Sequence, residues 1–229
     1  MGYWTVPEMW PDGECWIIGG GFSIPRQFGV PDNIIQDVMK GVKDPSAYSQ
    51  YMEAIHEKHT IGINMAYKIG DWIDIIFFGD KSFYDKVKYD FMRVSALKVT
   101  CQSTFNSPRK FPGVKIMRRL PRKKLEGISN MPNAVCWNYN SGAAAISVAA
   151  HTGVKRIVLL GFDMNLGEGE HRHWHYLYGK KSKPPPYPNH IRCFPAIKHD
   201  AKKRGIEIIN ANPDSAIKEF PRMSVKELL

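Results

Sequence analysis

Short runs of apolar residues alternate along the chain with segments whose apolar residues recur at helical spacing. Such alternation is typical of parallel β-strands that are joined by crossover helices. The clearest strand lies at 156–161, because its Ile-Val-Leu-Leu centre is wholly apolar and a glycine ends it. The pattern predicts further strands at 15–18, 60–64, 73–78, 97–101, 114–117 and 207–210.

Start and stop residues bound the helices between these strands. Pro31 suits the first position of one helix and Gly41 its end, while Asp44 and Asp80 can cap the next two. A helix of small residues begins near Ser141. The predicted helices lie at 31–40, 45–58, 81–92, 141–153 and 194–204.

Three segments are not expected to form regular structure in the core. We predict a loop at 118–137 and a peripheral C-terminal extension at about 216–229. Residues 162–192 hold several glycines, three consecutive prolines and four histidines. An irregular segment of about 30 residues in a compact domain is normally functional or disordered. Its content of His, Tyr and Trp favours a lid over the binding site.

The elements together predict one α/β domain over residues 1–229. We expect a Rossmann-like, mostly parallel sheet with helices on both faces and a lid loop.

The 32 Lys and Arg residues outnumber the 22 Asp and Glu residues, so the formal net charge is +10. Such a charge favours phosphate-bearing partners: a nucleotide, a nucleic acid or an anionic lipid.

The predicted location of the protein depends on two features: the sequence shows neither a membrane span nor a secretory signal, and its cysteines are not paired in a motif. No apolar run reaches the roughly 18 residues of a membrane span, and the first residues carry neither the basic nor the apolar region of a secretory signal. The four cysteines are far apart and form no CxxC pair. We therefore expect a reduced, cytoplasmic protein.

The first predicted strand runs into Gly19-Gly20-Gly21-Phe22-Ser23. Glycines let backbone amides approach a phosphate or ribose closely, and α/β sheets bind ligands at the carboxyl ends of their strands. The segment lacks the third glycine of GxGxxG and the lysine of a P-loop. A tight turn between a strand and a helix is the alternative interpretation.

Polar residues end the next two strands and begin the small-residue helix. Asn64 and Asp80 would project at the same sheet edge as the glycine turn, although both types also form turns and caps. Asn140, Ser141 and Gly142 open the small-residue helix, whose free N–H groups and dipole favour an anion. Plain capping by Ser141 is the alternative.

Histidines and one aspartate of the segment 162–192 are the candidate chemical groups. Asp163 follows the strongest strand and can bind a metal or a sugar hydroxyl, or cap the loop. The alternating histidines of His-Arg-His-Trp-His (171–175) share one face of an extended segment, yet no Cys or carboxylate completes a metal site, so we assign none. His190, just before a helix, can serve as a general base or be an exposed loop residue.

Five positive charges lie within residues 118–124. Such a cluster can contact nucleic-acid phosphates. A short charge run is also usual in a solvated loop, and the cluster contains no aromatic residue for base stacking. Nucleic acid is therefore kept as a partner that the sequence allows.

Four segments, WIIGGGFSI, DIIFFGDKSFY, NSGAAAISVAAHTGVKRIVLLGFDM and EIINANPDS, resemble the bacterial sialyltransferases of glycosyltransferase family 42. They also resemble wider relatives of that fold, the motility accessory factors and the archaeal 6-hydroxymethylpterin pyrophosphokinases. Small phage and prophage proteins with "morphogenetic" names are similar over nearly the whole chain. A phage-encoded protein would be located in the cytoplasm of a bacterial host. The block that begins with Asn-Ser-Gly carries most of the resemblance.

The resemblance implies a cytidine-nucleotide site and a histidine base. The matching nucleotide-binding positions are Gly20, Gly21, Ser23, Asn64, Asp80, Ser141 and Gly142. His190 stands near the position of the family's general base, and lid tyrosines that steady the leaving phosphate correspond to Tyr176, Tyr178 or Tyr187. A glycine replaces the family's first-turn Asn, and Asp80 replaces another Asn, so the donor need not be a cytidine-linked sialic acid.

These implications predict a transferase that uses a nucleotide-sugar donor, with His190 as general base. An ATP- and magnesium-dependent diphosphotransferase, with magnesium at Asp80 or Asp163, is one alternative. A phage protein that associates with DNA or with the particle, without turnover on the same fold, is the other.

Overall fold

The computed structural model describes residues 2–102, 113–121, 126–167, 171–179 and 184–229. The strands are β1 (Glu14–Ile18), β2 (His59–Ile63), β3 (Ile75–Phe78), β4 (Leu97–Thr100), β5 (Val114–Ile116), β6 (Arg118–Arg119), β7 (Ala134–Val135), β8 (Arg156–Leu160) and β9 (Glu207–Asn210). The helices are α1 (Ser23–Gln27), α2 (Asp32–Met39), α3 (Lys81–Phe91), α4 (Ser141–His151), α5 (Tyr187–Ile191), α6 (Phe194–Lys203) and α7 (Val225–Leu228).

The main sheet has the strand order β5-β4-β3-β2-β1-β8-β9, and every adjacent pair is parallel. The predicted α/β, Rossmann-like architecture is confirmed. The chain builds outward from β1 to β5 and then returns to add β8 on the other side of β1. The strand order therefore reverses beside β1, and open α/β sheets bind ligands at such a switch point.

Alternate residues of each strand enter one of two apolar layers, because successive side chains of a strand point to opposite faces. On β1, Cys15 and Ile17 pack in the layer that contains α4 and α6. Trp16 and Ile18 pack in the layer that contains residues of α2 and α3. Helices thus cover both faces of the sheet, as predicted.

Helix α4 packs directly on the central strands because its side chains are small. Ala143, Ala144, Ala145 and Ala149 are fully buried against the sheet. This close approach holds the amino end of α4 at the carboxyl ends of the strands, where the candidate site lies.

The predicted helix at 45–58 is wrong in type. The structure has two 3₁₀ segments, Pro45–Tyr51 and Glu53–Ile55. The carbonyl oxygen of Ser49 accepts from Met52 N at 2.8 Å and from His56 Nε2 at 3.1 Å. Because these donors engage the carbonyl that an α-helix would pair with residue 53, the tighter 3₁₀ bonding replaces the α-helix.

The segment 216–229 is not peripheral. Ile217 and Phe220 are buried in the same apolar layer as α6, and Val225 is buried in the other layer. Phe220 makes an edge contact with Phe194, with ring centroids 5.9 Å apart. The extension therefore covers the sheet beside β9, because its apolar residues have core positions to fill.

Two predicted loops contain regular structure. In the segment 118–137, β6 pairs with β7 in a parallel two-stranded sheet. In the segment 162–192, α5 forms just before α6. The residues 122–124 of the predicted basic cluster lie outside the described residues.

Two further observations bear on the predicted location. All four cysteines are buried and free. Among the described residues, no helix combines the length and apolar character that crossing a bilayer requires.

Candidate functional site

A cavity of about 560 Å³ opens at the carboxyl ends of the central strands. Its walls are the turns after β1, β2, β3 and β8, the start of α4, and parts of the segment 162–192. It gathers most of the residues that the sequence predicted for the site. These are Gly19, Gly20, Gly21, Asn64, Asp80, Asn140, Ser141, Gly142, Asp163, Tyr178, Tyr187 and His190.

The glycine turn is held by contacts within the protein. Gly19 O accepts a hydrogen bond from Trp174 Nε1 at 3.0 Å, and Gly21 N donates to Gly161 O at 2.9 Å. A Cβ on Gly21 would stand 2.6 Å from Gly161 O and closer still to the carboxylate of Asp163. The glycine at position 21 is therefore required by the close approach of the loop after β8.

Asp163 fixes that loop to the start of α1. Its Oδ2 accepts from Ser23 N at 2.9 Å, and its Oδ1 accepts from Ser23 Oγ at 2.5 Å and from Asn212 Nδ2 at 2.8 Å. The side chain is buried, and both oxygens are engaged. The structure thus brings Ser23 to Asp163 and does not include it in the wall of the cavity.

Asn64 adopts a left-handed backbone conformation directly after β2, with φ of 52°. Its Oδ1 is buried and has no hydrogen-bond partner among the described residues. The Asn64 side chain also forms a hydrogen bond with Tyr178, and this bond lowers the pKa of the Tyr178 phenol. Burial and, second, the charge of Asp80 raise the same pKa and outweigh the hydrogen bond. Tyr178 therefore keeps its O–H at neutral pH.

Lys86 joins α3 to the segment above the cavity. Its ammonium donates to Leu177 O and lies 5.8 Å from the centre of the Tyr178 ring. Asp80 is exposed at the start of α3 and makes no capping bond with its side chain. No local sequence pattern indicated Lys86, although it lies four residues after Ser82, which also lines the cavity.

The start of α4 is shaped by the loop before it. Asn138 is fully buried, accepts from Gly127 N at 2.9 Å and donates to Gly127 O at 2.9 Å. Asn140 then caps Ala143 N at 2.8 Å. Ser141 and Gly142, the first two helical residues, line the cavity, and their N–H groups have no acceptor within the helix.

Aromatic side chains form the wall beside the start of α4. Trp137 and Tyr139 line the cavity, and the guanidinium of Arg119 lies 3.9 Å from the Trp137 ring centre. Arg119 also donates to Gly79 O at 3.1 Å. This member of the predicted basic cluster therefore supports the cavity wall through Trp137.

The three histidines of the segment 171–175 do not converge on one point. His171 stacks on Phe22 with ring centroids 5.3 Å apart, whereas His173 and His175 line the cavity and stack on each other at 5.4 Å. Among the residues that the structure describes, no group of three His, Cys, Asp or Glu side chains is placed to hold a metal.

The three predicted tyrosines lie in different surroundings. Tyr178 presents its ring edge to His173 and His175, and Tyr187 lines the cavity from α5. Tyr176 is 40% exposed and lies against Gly41, outside the cavity.

His190 lines the cavity from α5, where its ring makes an edge contact with Tyr187. Burial lowers the pKa of its imidazole, so the ring is neutral at pH 7. Burial and then the charge of Asp163 raise the pKa of the Tyr187 phenol, while Arg172 opposes the rise. A neutral imidazole and two protonated phenols thus face the cavity.

Comparisons with known proteins extend these observations. No family model and no curated protein matches the chain. The MAf glycosyltransferase from Magnetospirillum magneticum AMB-1 matches with a TM-score of 0.60 and 11% identity, over 100% of this chain and 36% of that one. The chain shares the fold of this glycosyltransferase.

Two sialyltransferases from Campylobacter jejuni also match. CstII, in complex with cytidine-5'-monophosphate, gives a TM-score of 0.49 and 13% identity over 93% of this chain and 86% of that chain. Cst-I, a monofunctional alpha-2,3-sialyltransferase, gives a TM-score of 0.49 and 17% identity over 92% of this chain and 80% of that chain. The match with the MAf glycosyltransferase confirms the predicted resemblance in fold.

Proposed function

We propose that the chain is a glycosyltransferase that uses a nucleotide-sugar donor. The observation that carries the proposal is the cavity at the switch point of the sheet, where the first residues of α4 meet polar strand ends and the neutral imidazole of His190. The shared fold with a glycosyltransferase supports the same reaction class.

The phosphate of the donor would bind at the start of α4. The N–H groups of Ser141 and Gly142 and the helix dipole favour an anion there. Lys86 and Arg172 add positive charge to the wall, and Trp137 and Tyr139 offer aromatic faces to a base. Asn64 and Asp80 supply hydrogen-bond acceptors for hydroxyl or amino groups of the nucleotide.

Sugar transfer would then follow from the groups that face the bound donor. His190 removes the proton of the acceptor hydroxyl, whose oxygen forms a bond to the anomeric carbon of the donor. The bond from that carbon to the phosphate oxygen breaks, and the nucleotide leaves with the electron pair. The O–H groups of Tyr178 and Tyr187 donate to the leaving phosphate.

The predicted diphosphotransferase alternative receives less support. It requires magnesium at Asp80 or Asp163, and both carboxylate oxygens of Asp163 already accept hydrogen bonds from Ser23 and Asn212. Asp163 therefore has no carboxylate oxygen without a hydrogen bond, and this alternative depends on Asp80 alone.

A thermal-shift screen identifies the nucleotide. CMP, UDP, GDP, ADP and ATP are each added with and without Mg²⁺, and a nucleotide that binds the native state raises Tm. We expect a response to CMP or another nucleotide of a sugar donor that does not need Mg²⁺. A response that strictly requires ATP and Mg²⁺ would favour diphosphoryl transfer, and tight DNA binding with no nucleotide response would favour a non-catalytic protein.

Turnover with the matching nucleotide-sugar then tests the base. His190→Ala is expected to lower kcat by roughly 10²–10⁴ and to leave nucleotide affinity nearly unchanged, because the strand ends carry that affinity. His199→Ala, on an exposed face of α6, is the control. Full activity in His190→Ala would rule out this role.

A further inference from the structure

The segment 171–175 is anchored to the glycine turn through two adjacent side chains. Trp174 is fully buried and donates to Gly19 O at 3.0 Å. The Nδ1 atom of His173 lies 3.2 Å from Gly20 O, within hydrogen-bond distance. The glycine turn thus orients the imidazole of His173 at the cavity wall.

These backbone contacts define which ring nitrogen carries a proton. A carbonyl oxygen only accepts, so His173 Nδ1 carries the hydrogen and its Nε2 is the site for further proton exchange. His175 has the opposite arrangement, because its Nδ1 accepts from Leu177 N at 3.2 Å. His173 can therefore gain and lose a proton at Nε2 without breaking the bond that holds it.

His173 lines the same cavity as Ser141 and Gly142, the residues of the proposed phosphate position. A Cβ on Gly142, at the start of α4, would stand 3.0 Å from the ring of Phe162. A Cβ on Gly19 would stand 3.2 Å from the same ring. The glycine turn that holds His173 and the start of α4 are thus separated by one aromatic ring.

Several charged or titratable side chains share this part of the cavity. His175 and Tyr178 contact the His173 ring, at centroid distances of 5.4 and 5.0 Å. The other such groups of the wall are Asp80, Lys86, Tyr139, Asp163, Arg172, Tyr187 and His190. The pH dependence of any single group must therefore be separated from the others by substitution.

We propose that His173 is the general acid of the transfer reaction, an inference that rests on the proposed function. As the bond from the anomeric carbon to the phosphate oxygen breaks, the proton on His173 Nε2 passes to that oxygen. His190 takes the proton of the acceptor hydroxyl in the same step. One proton is gained and one is lost by the protein, so the reaction is balanced and both histidines must exchange a proton before the next turnover.

A first experiment measures proton linkage without requiring turnover. Binding of CMP, or of the screened nucleotide that binds most tightly, is measured by calorimetry in buffers of different ionisation enthalpy at pH 7. The wild-type protein is expected to take up a proton on binding, because the phosphate favours protonated His173. His173→Asn keeps a donor for Gly20 O and lacks Nε2, so the uptake should disappear. His171→Asn, whose ring lies on Phe22, should retain it.

A second experiment measures kcat and KM against pH with the matching donor. The wild-type kcat is expected to decline on the alkaline side as His173 loses its proton. His173→Asn should lose this alkaline limb and lower kcat by roughly 10²–10⁴, with little change in donor KM. A merely structural role would instead raise KM and lower Tm.

The outcomes separate the two proposals. Unchanged proton uptake together with an intact alkaline limb in His173→Asn would overturn the assignment of His173. If uptake is lost in this variant but the wild-type protein transfers no sugar, the contact of His173 with the phosphate is supported, whereas the glycosyltransferase proposal and the acid role fail.

Discussion

The glycine turn after β1 and the start of α4 look alike in sequence, since both are runs of small residues at a strand or helix end. In the structure they differ. The carbonyl of Gly19 and the space beside Gly21 are occupied by Trp174 and by Asp163. The first two residues of α4, whose N–H groups have no acceptor within the helix, line the cavity.

Small residues therefore have two structural roles at the same edge of the sheet. In the glycine turn they allow other parts of the chain to approach, so the turn organises the segment above the cavity. In α4 they allow the helix to approach the sheet, so its amino end reaches the ligand position. Substitutions in the first region should therefore act on stability, and substitutions in the second on nucleotide affinity.

The largest effect is expected for Trp174→Ala. The indole is fully buried and donates to Gly19 O, and truncating a buried Trp typically costs about 3–5 kcal/mol of unfolding free energy. Urea unfolding measures the loss. Tyr176→Ala, at a 40% exposed position of the same segment, should change stability by less than about 0.5 kcal/mol. Equal effects of the two substitutions would contradict the anchoring role of Trp174.

Gly21→Val tests the close approach in the glycine turn. The added side chain would meet the backbone at Gly161 O and the carboxylate of Asp163, and overpacking of this kind costs about 1–3 kcal/mol. Gly2→Val is the control, because a Cβ there has nothing within 4 Å. Wild-type stability in Gly21→Val would show that the loop after β8 can move away.

Asn140→Ala tests the start of α4. Losing the cap on Ala143 N should cost about 1 kcal/mol of stability, and fraying of the helix start should also weaken nucleotide binding by roughly tenfold, equivalent to about 1.4 kcal/mol. Ser224→Ala removes a similar cap from α7, which lies away from the cavity. It should lower stability without changing affinity. Calorimetry and urea unfolding distinguish the two variants.

A pH-dependent effect on stability is expected at the far end of α4. Burial, followed by the charge of Arg204, lowers the pKa of His151 from 6.5 to about 4, while backbone hydrogen bonds at Ser129 and Met131 oppose the shift. Between these values the unfolded chain binds more protons than the folded one, so the stabilisation from neutral His151 is lost as pH falls from 6.5 through 4. His151→Gln should flatten Tm against pH in this window. An identical slope in the variant would assign the pH dependence to other groups.

Local patterns predicted the strands and the polar sheet edge well. The alternation of apolar runs placed β1, β8 and β9 within a residue or two, because a buried parallel strand needs a continuous apolar run. Once the strands are parallel, their carboxyl ends share one edge, so Asn64, Asp80 and Ser141 had to meet there.

Other predictions failed where specific side-chain contacts override the local periodic pattern. The 45–58 segment became two 3₁₀ turns because His56 engages Ser49 O. The end of the chain entered the core because Ile217 and Phe220 find apolar partners beside α6. Neither contact is visible in the local pattern of residues.

The sequence by itself therefore determined the parallel sheet, the small-residue helix and the group of polar residues at one edge, since these follow from periodicity and from the direction of the strands. Only the tertiary structure decided how the segment 171–175 is used. Trp174 enters the core while His173 and His175 face the cavity, because the carbonyls of the glycine turn lie within reach of this segment only after folding. Hydrogen bonds between residues about 150 positions apart fix the orientation of these side chains, and no local pattern specifies such bonds.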